Sequence, residues 1–396
     1  MPGPMRCPRC GGFLVVGRCV SCDATRASRI VNREIVLLSL LACVAAVALL
    51  VTRTIAAADE RLRHQQAAAW FEVAQERLRT GRIDDALIGF RRAVVKDRDN
   101  RPYRLALTRA LLASGRDEEA RRLLLALRDA QPEDPDTNLQ LARLEARNGD
   151  GDAARRYYEN ALAALWRSDQ AERRQLLRLE LIDLLLARDE RARALSELLV
   201  LAPNLPDNAA AYVPVGRRFL DAGDPRRALD HFTRALRAQP GNRDALAGAG
   251  EAAFALGDYV RAQRYFAAVP GGDDRVADLR EVTRLVVAGD PLAPRLGAAE
   301  RRRRLIAAFD QATGRLETCL GMAPVGADPQ LESLRSEARE FAPAVNRRGT
   351  PRDVIDDGVD LVYRIERIAE RRCPAPATPL DRALLLIGRR HGFEDA

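Results

Sequence analysis

Four cysteines near the N-terminus have the spacing of a metal-binding cluster. Cys7 and Cys10 form one C-x2-C pair, and Cys19 and Cys22 form a second pair after eight intervening residues. Each pair can form a turn that presents two thiolates to one ion, and tetrahedral coordination by four thiolates selects zinc. Four protein ligands leave no open coordination position, so the pattern predicts a structural Zn²⁺ and disfavours catalysis at the metal.

The residues between the two pairs predict a minimal hairpin. Gly11 and Gly12 permit a tight turn, and the apolar residues 13–16 followed by Gly17 are typical of two short strands. Residues 1–28 therefore resemble a short zinc ribbon, with a linker shorter than in the usual zinc fingers. So small a segment has almost no core, and metal binding would supply its folding free energy, on the order of 10 kcal/mol or more.

A long apolar run follows the cysteines. Residues 35–51 contain no charge and no helix breaker, and a helix of this length spans roughly 26 Å, the short end of a bilayer core. With the flanking Arg33 and Arg53, residues 33–55 are predicted to form one transmembrane helix. Two alternatives are a buried core helix, which normally carries polar residues on one face, and a cleaved signal peptide. The cysteine-rich segment before the run argues against a signal peptide.

Arginines are denser before the apolar run than after it. The arginines before the run are Arg6, Arg9, Arg18, Arg26, Arg29 and Arg33. The charges shortly after it are Arg53, Asp59, Glu60, Arg61 and Arg63. The positive-inside rule therefore predicts a cytoplasmic N-terminus and a main body outside the cytoplasm. In a bacterium this is a single-pass inner-membrane protein whose main body lies in the periplasm.

A period of 34 residues governs the main body. Glycines recur at Gly81, Gly115, Gly149, Gly223 and Gly257, and alanines five residues later at Ala86, Ala120, Ala154, Ala228 and Ala262. The long gap is two periods plus six residues, and Asp189 and Ala194 fill the missing register after an insertion near 168–174. The predicted repeats are 67–100, 101–134, 135–168, 175–208, 209–242 and 243–276.

Large and small residues recur within each repeat. The first unit has Trp70, Ala74, Gly81, Ala86, Phe90 and Ala93, and the fifth has Tyr212, Gly216, Gly223, Ala228, Phe232, Ala235 and Pro240. This pattern resembles the tetratricopeptide repeat of bacterial membrane-anchored proteins. The resemblance implies a mainly α chain in which helix pairs stack as a right-handed α-solenoid over residues 60–276, because no unit buries its apolar face alone.

The resemblance also implies a protein-binding surface on the first helices of the repeats. In that family, groove arginines often hold acidic or carboxylate-ended peptides through bidentate hydrogen bonds. The candidate groove residues are Arg79, Arg109, Arg143, Arg147 and Arg217. The alternative interpretation is a solvated helix face. The Lys/Asn clamp of the chaperone-binding members is absent, so that ligand is not expected.

Residues 277–396 lose the period but form a predicted helical domain. Its helical patterns cover about 276–288, 297–319, 328–342, 351–372 and 380–390. Cys319 and Cys373 each end a helical pattern, and a periplasmic location would favour a disulfide between them, worth roughly 4 kcal/mol. The alternative is two buried free thiols. Arg301–Arg304 is either an acidic-partner patch or a solvated helix face.

Composition and motifs argue against an enzyme. The chain is 47% hydrophobic and 30% charged, which suits ordered globular structure. A net charge of +8 over 396 residues is a mild attraction toward acidic partners or anionic lipid, and nucleic acid is disfavoured as a partner. The three histidines are scattered, and the sequence contains no P-loop, dinucleotide fingerprint or nucleophile elbow. No small-molecule substrate is expected.

The sequence therefore predicts a membrane-anchored scaffold or adaptor that mediates protein–protein interactions in the assembly, secretion or maturation of envelope proteins. The alternative is a signalling or regulatory membrane protein whose zinc ribbon binds nucleic acid or a cytoplasmic partner. That alternative requires salt-sensitive nucleic-acid binding by residues 1–34, which offer Phe13 as the one stacking aromatic.

Overall fold

The computed structural model contains two strands and seventeen α-helices in the residues it describes. These residues are 5–16, 18–166, 168–271, 274–322, 328–347, 351–373 and 377–393, with the backbone alone described for 20, 23–32 and 168. The chain forms two compact units, Met1–Asp150 and Gly151–Ala396. Each unit is mainly helical.

Unit 1 begins with a two-stranded antiparallel hairpin. Strand β1 is Leu14–Val15 and strand β2 is Arg18–Cys19, with Leu14 opposite Cys19 and Val15 opposite Arg18. The hairpin confirms the prediction for the segment between the cysteine pairs. Gly17, the predicted turn residue, lies outside the described residues.

The first helix, α1, runs from Val20 to Arg79 without a break. It begins at the second cysteine pair, contains the apolar run and ends as the first helix of the first repeat. Residues 52–66 between the apolar run and the repeat contain neither Gly nor Pro and are rich in Ala, Arg and Gln. Because these residues favour helix, the helix continues where the sequence pattern gave two separate segments.

Four further helices complete unit 1. They are α2 (Ile83–Lys96), α3 (Arg101–Ala113), α4 (Asp117–Ala130) and α5 (Pro135–Arg147). Each packs against the helix before it. Their core is built from small and large apolar side chains, such as Ala74 and Ala86 on facing helices and the fully buried Phe90 and Leu111.

Unit 2 begins with seven helices. They are α6 (Gly151–Ala163), α7 (Ala171–Ala187), α8 (Arg191–Leu201), α9 (Ala209–Asp221), α10 (Pro225–Ala238), α11 (Arg243–Ala255) and α12 (Tyr259–Ala268). Short 3-10 turns occupy Ser168–Gln170 and Ala202–Asn204. The first of these turns lies at the predicted six-residue insertion, and α7, with 17 residues, is correspondingly longer than α3, α5, α9 and α11, with 13 each.

The turn inside each helix pair has the same backbone geometry. Positive φ angles occur at Gly81, Gly115, Gly149, Asp189, Gly223 and Gly257. Asp189, with φ 57°, takes the place of glycine in the fourth repeat, as the register predicted. The alanines five residues later are all fully buried: Ala86, Ala120, Ala154, Ala194, Ala228 and Ala262. Local geometry and burial therefore confirm the six-repeat register.

Small residues allow the two helices of a pair to approach closely. A Cβ atom added at Gly250 of α11 would lie 2.5 Å from the ring of Phe266 on α12. Phe266 is fully buried, as are Phe90 and Phe232 at the same register position of other repeats. The glycine is thus required by packing, because the ring that faces it has no space into which to move.

Five helices follow the repeats, close to the predicted segments. They are α13 (Asp274–Gly289), α14 (Ala298–Met322), α15 (Pro329–Asn346), α16 (Arg352–Arg372) and α17 (Pro379–Arg390). The last helix returns to α13, where Arg382 pairs with Asp278 and His391 Nε2 lies 3.0 Å from the Asp290 carboxylate. Tyr259 of the sixth repeat joins their apolar core. The block therefore covers the end of the sixth repeat.

A buried charge cluster lies inside this block. Arg315, Glu366 and Asp381 are each less than a tenth exposed, and the Arg315 guanidinium hydrogen-bonds to Glu366 and lies 3.7 Å from Asp381. Glu366 Oε1 has no hydrogen-bond partner among the described residues. Burial, followed by the charge of Asp381, raises the pKa of Glu366 to about 7. One buried cation thus faces two buried carboxyl groups.

We expect the stability of unit 2 to fall with rising pH because of Glu366. Its folded pKa is raised above the ordinary 4.5, so its stabilising contribution is complete below about pH 4.5 and lost as the pH rises through about 7. Glu366→Gln removes this loss. The variant should gain roughly 2–3 kcal/mol over the wild type between pH 5 and pH 8, measured by thermal unfolding. Glu340→Gln, at an exposed position of α15, is the control; an equal pH trend in both variants contradicts the assignment.

Candidate metal centre and protein-binding surface

The four N-terminal cysteines converge on one point. Their Sγ atoms all lie within 4.8 Å of one another, and Cys10 Sγ lies 3.3 Å from the Sγ atoms of both Cys19 and Cys22. Cys7 and Cys19 are buried, while Cys10 is exposed. Tetrahedral Zn–S bonds of about 2.3 Å place sulfurs roughly 3.8 Å apart, which is within the range found here. The donor set therefore fits a single metal ion.

Local backbone geometry places each cysteine pair. The Cys7 N–H donates to the Gly12 carbonyl at 2.8 Å and the Gly11 N–H donates to the Cys7 carbonyl at 3.0 Å, which closes the first turn. Gly11 has φ +74°, a conformation that favours glycine. The second pair spans the end of β2 and the start of α1, where the Cys22 N–H donates to Cys19 Sγ at 3.4 Å.

The thiols influence one another's protonation. A backbone N–H of Arg9 that donates to Cys7 lowers the pKa of that thiol to about 7. Hydrogen bonding with Cys10, and then with Cys19, raises the pKa of Cys22 to about 12. The loss of a proton is thus favoured at Cys7 and opposed at Cys22, and a divalent cation would favour the thiolate form of all four by attracting their charge. The cluster could therefore hold a metal ion by both distance and charge.

The two C-terminal cysteines are joined in a disulfide. Cys319 lies near the end of α14 and Cys373 directly follows α16, with their Cα atoms 5.0 Å apart. The bond closes a sequence separation of 54 residues, and Cys319 is 1% exposed. Both cysteines contact the apolar core of the C-terminal helices, so the bridge ties two of those helices together at their ends.

The apolar part of α1 is long and apolar enough to cross a membrane. Within Arg33–Arg79 an 18-residue window reaches a mean hydropathy of 2.9, and none of that window is buried. A core helix would instead be covered by the rest of the protein. The side chains of Arg26 and Arg29, used for the predicted orientation, lie outside the described residues.

The predicted groove arginines of unit 1 lie in different surroundings. Arg79 pairs with Glu76, and Arg147 lies 3.2 Å from Asp117. Arg109 and Arg143 are exposed on α3 and α5.

The fifth predicted residue, Arg217, lines a cavity of about 410 Å³ in unit 2. The cavity lies along the first helices α9 and α11 and the start of α13. Its lining residues are Val213, Pro214, Arg217, Arg243, Asp244, Ala247, Glu251, Val269 and Val276. Apolar side chains and charged groups thus share one surface of the fifth and sixth repeats.

A carboxylate shared by two arginines lies at this cavity. Arg217 Nη1 and Nη2 donate to Glu251 at 2.7 and 3.1 Å, and Arg275 Nη2 donates to the same carboxylate at 2.9 Å. Hydrogen bonding to Glu251 raises the pKa of Arg217. Glu251 is 8% exposed whereas Arg275 is 73% exposed. The cavity lining itself has two arginines, Arg217 and Arg243, and two carboxylates, Asp244 and Glu251. Arg275, which contacts Glu251 but does not line the cavity, adds one positive charge beside it.

Sequence reasoning identified Arg217 but not its setting. Arg275 was missed because it lies at the start of α13, where the 34-residue register fades. Arg243 was missed because it opens its helix rather than occupying one of the counted groove positions. Glu251 occupies the same register position as Arg217 one repeat later. This spacing could have predicted the contact between Arg217 and Glu251.

The run Arg301–Arg304 is engaged within its own block. Arg303 and Arg304 pair with Glu300, and Arg304 also donates to the Val287 and Asp290 carbonyls. The contacts of Arg301 and Arg302 are the carbonyls of Leu296 and Asn346. These contacts favour a structural role over a binding patch.

Comparison with solved structures finds helical repeat proteins at low identity. PilW, a widely conserved type IV pilus biogenesis factor, is 18% identical, with 51% of this chain and 90% of that chain covered and a TM-score of 0.39. YrrB, a TPR protein with an unusual peptide-binding site, is 18% identical, with 49% and 95% covered and a TM-score of 0.35. The C-terminal part of a TPR repeat-containing protein from Cytophaga hutchinsonii is 12% identical, with 72% and 98% covered and a TM-score of 0.42.

Comparison with curated proteins finds no match to the chain. The family model of the tetratricopeptide repeat matches residues 77–144 and 219–282. The first matched segment lies within the helix pairs whose turns share a positive φ residue and whose second helices share a fully buried alanine, and the second covers such pairs and extends into α13. The chain therefore contains tetratricopeptide repeats.

Proposed function

We propose that this chain is a membrane-anchored scaffold that binds other proteins through the first helices of its tetratricopeptide repeats. The observation that carries the proposal is the cavity of unit 2 that is lined by Arg217 and Glu251, with Arg275 bound to the same carboxylate beside it. Repeat proteins of this kind are typically protein-interaction modules. The proposed role of the chain is therefore binding.

The chemistry of the cavity defines the partner. Its apolar residues Val213, Val269 and Val276 suit an aliphatic or aromatic side chain, and the positive charge of Arg275 beside it suits a carboxylate. Arg275 is largely exposed and can donate to a ligand carboxylate while Arg217 holds Glu251 in place. The expected partner is therefore a protein segment that ends in, or contains, an acidic group beside an apolar side chain.

The N-terminal cluster is proposed to hold a structural Zn²⁺. Cys7, Cys10, Cys19 and Cys22 supply four thiolates, and no position remains for substrate. Bound zinc would fix the hairpin and the start of α1, since the segment has little core of its own. Residues 1–28 are proposed as this ribbon, 33–55 as the membrane span, 60–276 as the repeat region and 277–396 as a C-terminal helical domain.

The two kinds of cysteine support one membrane orientation. A reducing compartment suits a cluster of four thiols, whereas an oxidising one suits the Cys319–Cys373 disulfide. The apolar segment of α1 lies between them in the chain. The proposal therefore puts the N-terminus in the cytoplasm and the repeats in the periplasm, in the inner membrane of a bacterium. A reporter active outside the cytoplasm, fused after residue 396, tests this orientation.

The binding surface is tested with a peptide panel. Fluorescent peptides with one apolar residue before a free C-terminal carboxylate are titrated with the full chain, and the same peptides with amidated ends serve as ligand controls. Arg275→Ala should weaken binding of the free-carboxylate peptides at least about tenfold, since a charge-assisted contact contributes roughly 1.5–3 kcal/mol. Arg264→Ala, an exposed arginine on α12, is the matched control. Equal binding by both variants, or no preference for the free carboxylate, contradicts the proposed surface.

A further inference from the structure

Helix α9 contains a proline in its interior, on the face that lines the cavity of unit 2. Pro214 lies within Ala209–Asp221, and it lines the cavity together with Val213 and Arg217. Because proline has no N–H, the helix hydrogen bond from residue 214 to the Ala210 carbonyl cannot form, and the proline ring crowds that carbonyl. An interior proline lowers the stability of a helix. Its position in the wall of a cavity therefore indicates a role in binding.

The freed carbonyl lies at one end of the cavity. Ala210 precedes Pro214 by four residues, so both lie on one face of α9, and Ala210 is exposed. Asp244 occupies in α11 the register position that Ala210 occupies in α9, 34 residues earlier, and Asp244 lines the cavity. We name the end at Ala210 and Asp244 the carbonyl end. Since its own helix supplies no donor one turn later, the Ala210 carbonyl is an acceptor that a ligand can use.

The other end of the cavity carries the shared carboxylate. Arg217 and Glu251 lie seven residues beyond Ala210 and Asp244 on their respective helices, and Arg275 donates to Glu251 there. We name this the arginine end. Seven helical residues span about 10 Å, which is the length of about three residues of extended chain. A short extended segment can therefore reach both ends at once.

The two ends attract different groups. At the carbonyl end, Arg243 and Asp244 are adjacent in the sequence and both line the cavity, so their charges offset each other. At the arginine end, Arg275 adds a positive charge beside the cavity. An acidic group is thus attracted to Arg275, while the neutral Ala210 carbonyl suits an N–H donor.

We propose that the Ala210 carbonyl, freed by Pro214, accepts a hydrogen bond from a main-chain N–H of the bound protein segment, two or three residues before its acidic group. This inference rests on the proposed function, because it assigns a second contact in the same cavity. An isolated small carboxylate would reach only Arg275, so the occupant is an extended chain segment. Pro214 is then a positioning residue, which makes the backbone of the partner part of what is recognised.

Backbone methylation of the peptide tests this contact without changing the protein. The probe is the tightest-binding free-carboxylate peptide of the panel, acetylated at its N-terminus and methylated at one backbone nitrogen at a time. Methylation two or three residues before the carboxylate should weaken binding to the full chain about fivefold, since one main-chain hydrogen bond is lost. Methylation at the other nitrogens should have a smaller effect.

The variant Pro214→Ala tests the same contact from the protein side. It restores the N–H of residue 214 and lets the helix bond to Ala210 form, so it should bind the unmethylated peptide about fivefold more weakly and lose the sensitivity to methylation. Unit 2 should unfold at a higher temperature, because a helix bond has been restored. Pro225→Ala is the matched control. Pro225 is the first residue of α10, where no helix bond is lost, so this variant should bind as the wild type does.

The outcomes separate this contact from the proposed function. Methylation that weakens binding equally in the wild type and in Pro214→Ala overturns the contact, as does the absence of a sensitive position. In both cases a preference for the free carboxylate still supports the proposed cavity. A Pro214→Ala variant that binds weakly and unfolds at a lower temperature also overturns the contact, since damage to the fold then explains the loss. If no peptide of the panel binds, the proposed function and the contact fail together.

Discussion

Removing the Cys319–Cys373 disulfide should lower the free energy of unfolding of unit 2 by about 4 kcal/mol, because the bridge closes a 54-residue separation. The chain-entropy relation attributes this loss to the freedom that the unfolded chain regains. For a unit of this size, roughly 2–4 °C per kcal/mol converts the loss into a fall of about 8–16 °C in the unfolding midpoint. The double variant Cys319→Ser, Cys373→Ser is compared with the wild type by calorimetry.

The control for this experiment is Cys43→Ser, which changes an exposed cysteine of α1. It should leave the midpoint of unit 2 unchanged. A reductant should move the wild type to the midpoint of the double variant and leave that variant where it is. If the wild type unfolds at the same temperature with and without reductant, the disulfide does not stabilise unit 2.

Replacing Cys10 by serine should abolish metal binding and unfold the N-terminal hairpin. The Cys10 sulfur lies 3.3 Å from two of the other three, and a structural zinc of this kind contributes on the order of 10 kcal/mol to folding. We expect one zinc per wild-type chain and none in Cys10→Ser, measured by elemental analysis of the purified protein. Proteolysis should then cut the variant within residues 5–19 and spare the wild type.

Cys43→Ser again provides the matched control, because it removes a thiol from the same helix without touching the cluster. It should retain one zinc per chain and resist proteolysis as the wild type does. Cobalt substitution gives a second readout, since four thiolates around Co²⁺ produce an intense sulfur-to-metal absorption. A wild-type chain whose four N-terminal thiols all react at once with a thiol reagent, in the presence of zinc, contradicts the metal centre.

Features that depend on nearby residues could be predicted from the sequence. The turn at Asp189 and the buried Ala194 follow from a glycine–alanine spacing that is visible along the chain. The cysteine cluster likewise depends on two short pairs and a hairpin between them. In the first case the spacing recurs every 34 residues, and in the second all four ligands lie within residues 7–22, so the spacing alone carries the information.

Features that depend on distant residues were beyond such patterns. The return of α17 to α13 brings Arg382 to Asp278, which are 104 positions apart. The sharing of Glu251 by Arg217 and Arg275 joins two repeats and the helix that follows them. The continuity of α1 was missed for another reason: residues 52–66 contain no stop signal, and the change from apolar to polar composition was interpreted as a boundary.

The unbroken helix α1 fixes a rotational phase between the cysteine cluster and the first repeat. Cys22 and Trp70 lie on one helix, so their directions around its axis are set by the number of residues between them, at about 100° each. Turning or sliding one end therefore turns or slides the other by the same amount. An insertion of one residue within 52–66 would swing the repeats by about 100°, and an insertion of seven would nearly restore them. The number of residues in this helix therefore determines the direction of the first repeat relative to the cysteine cluster, whatever the identity of those residues.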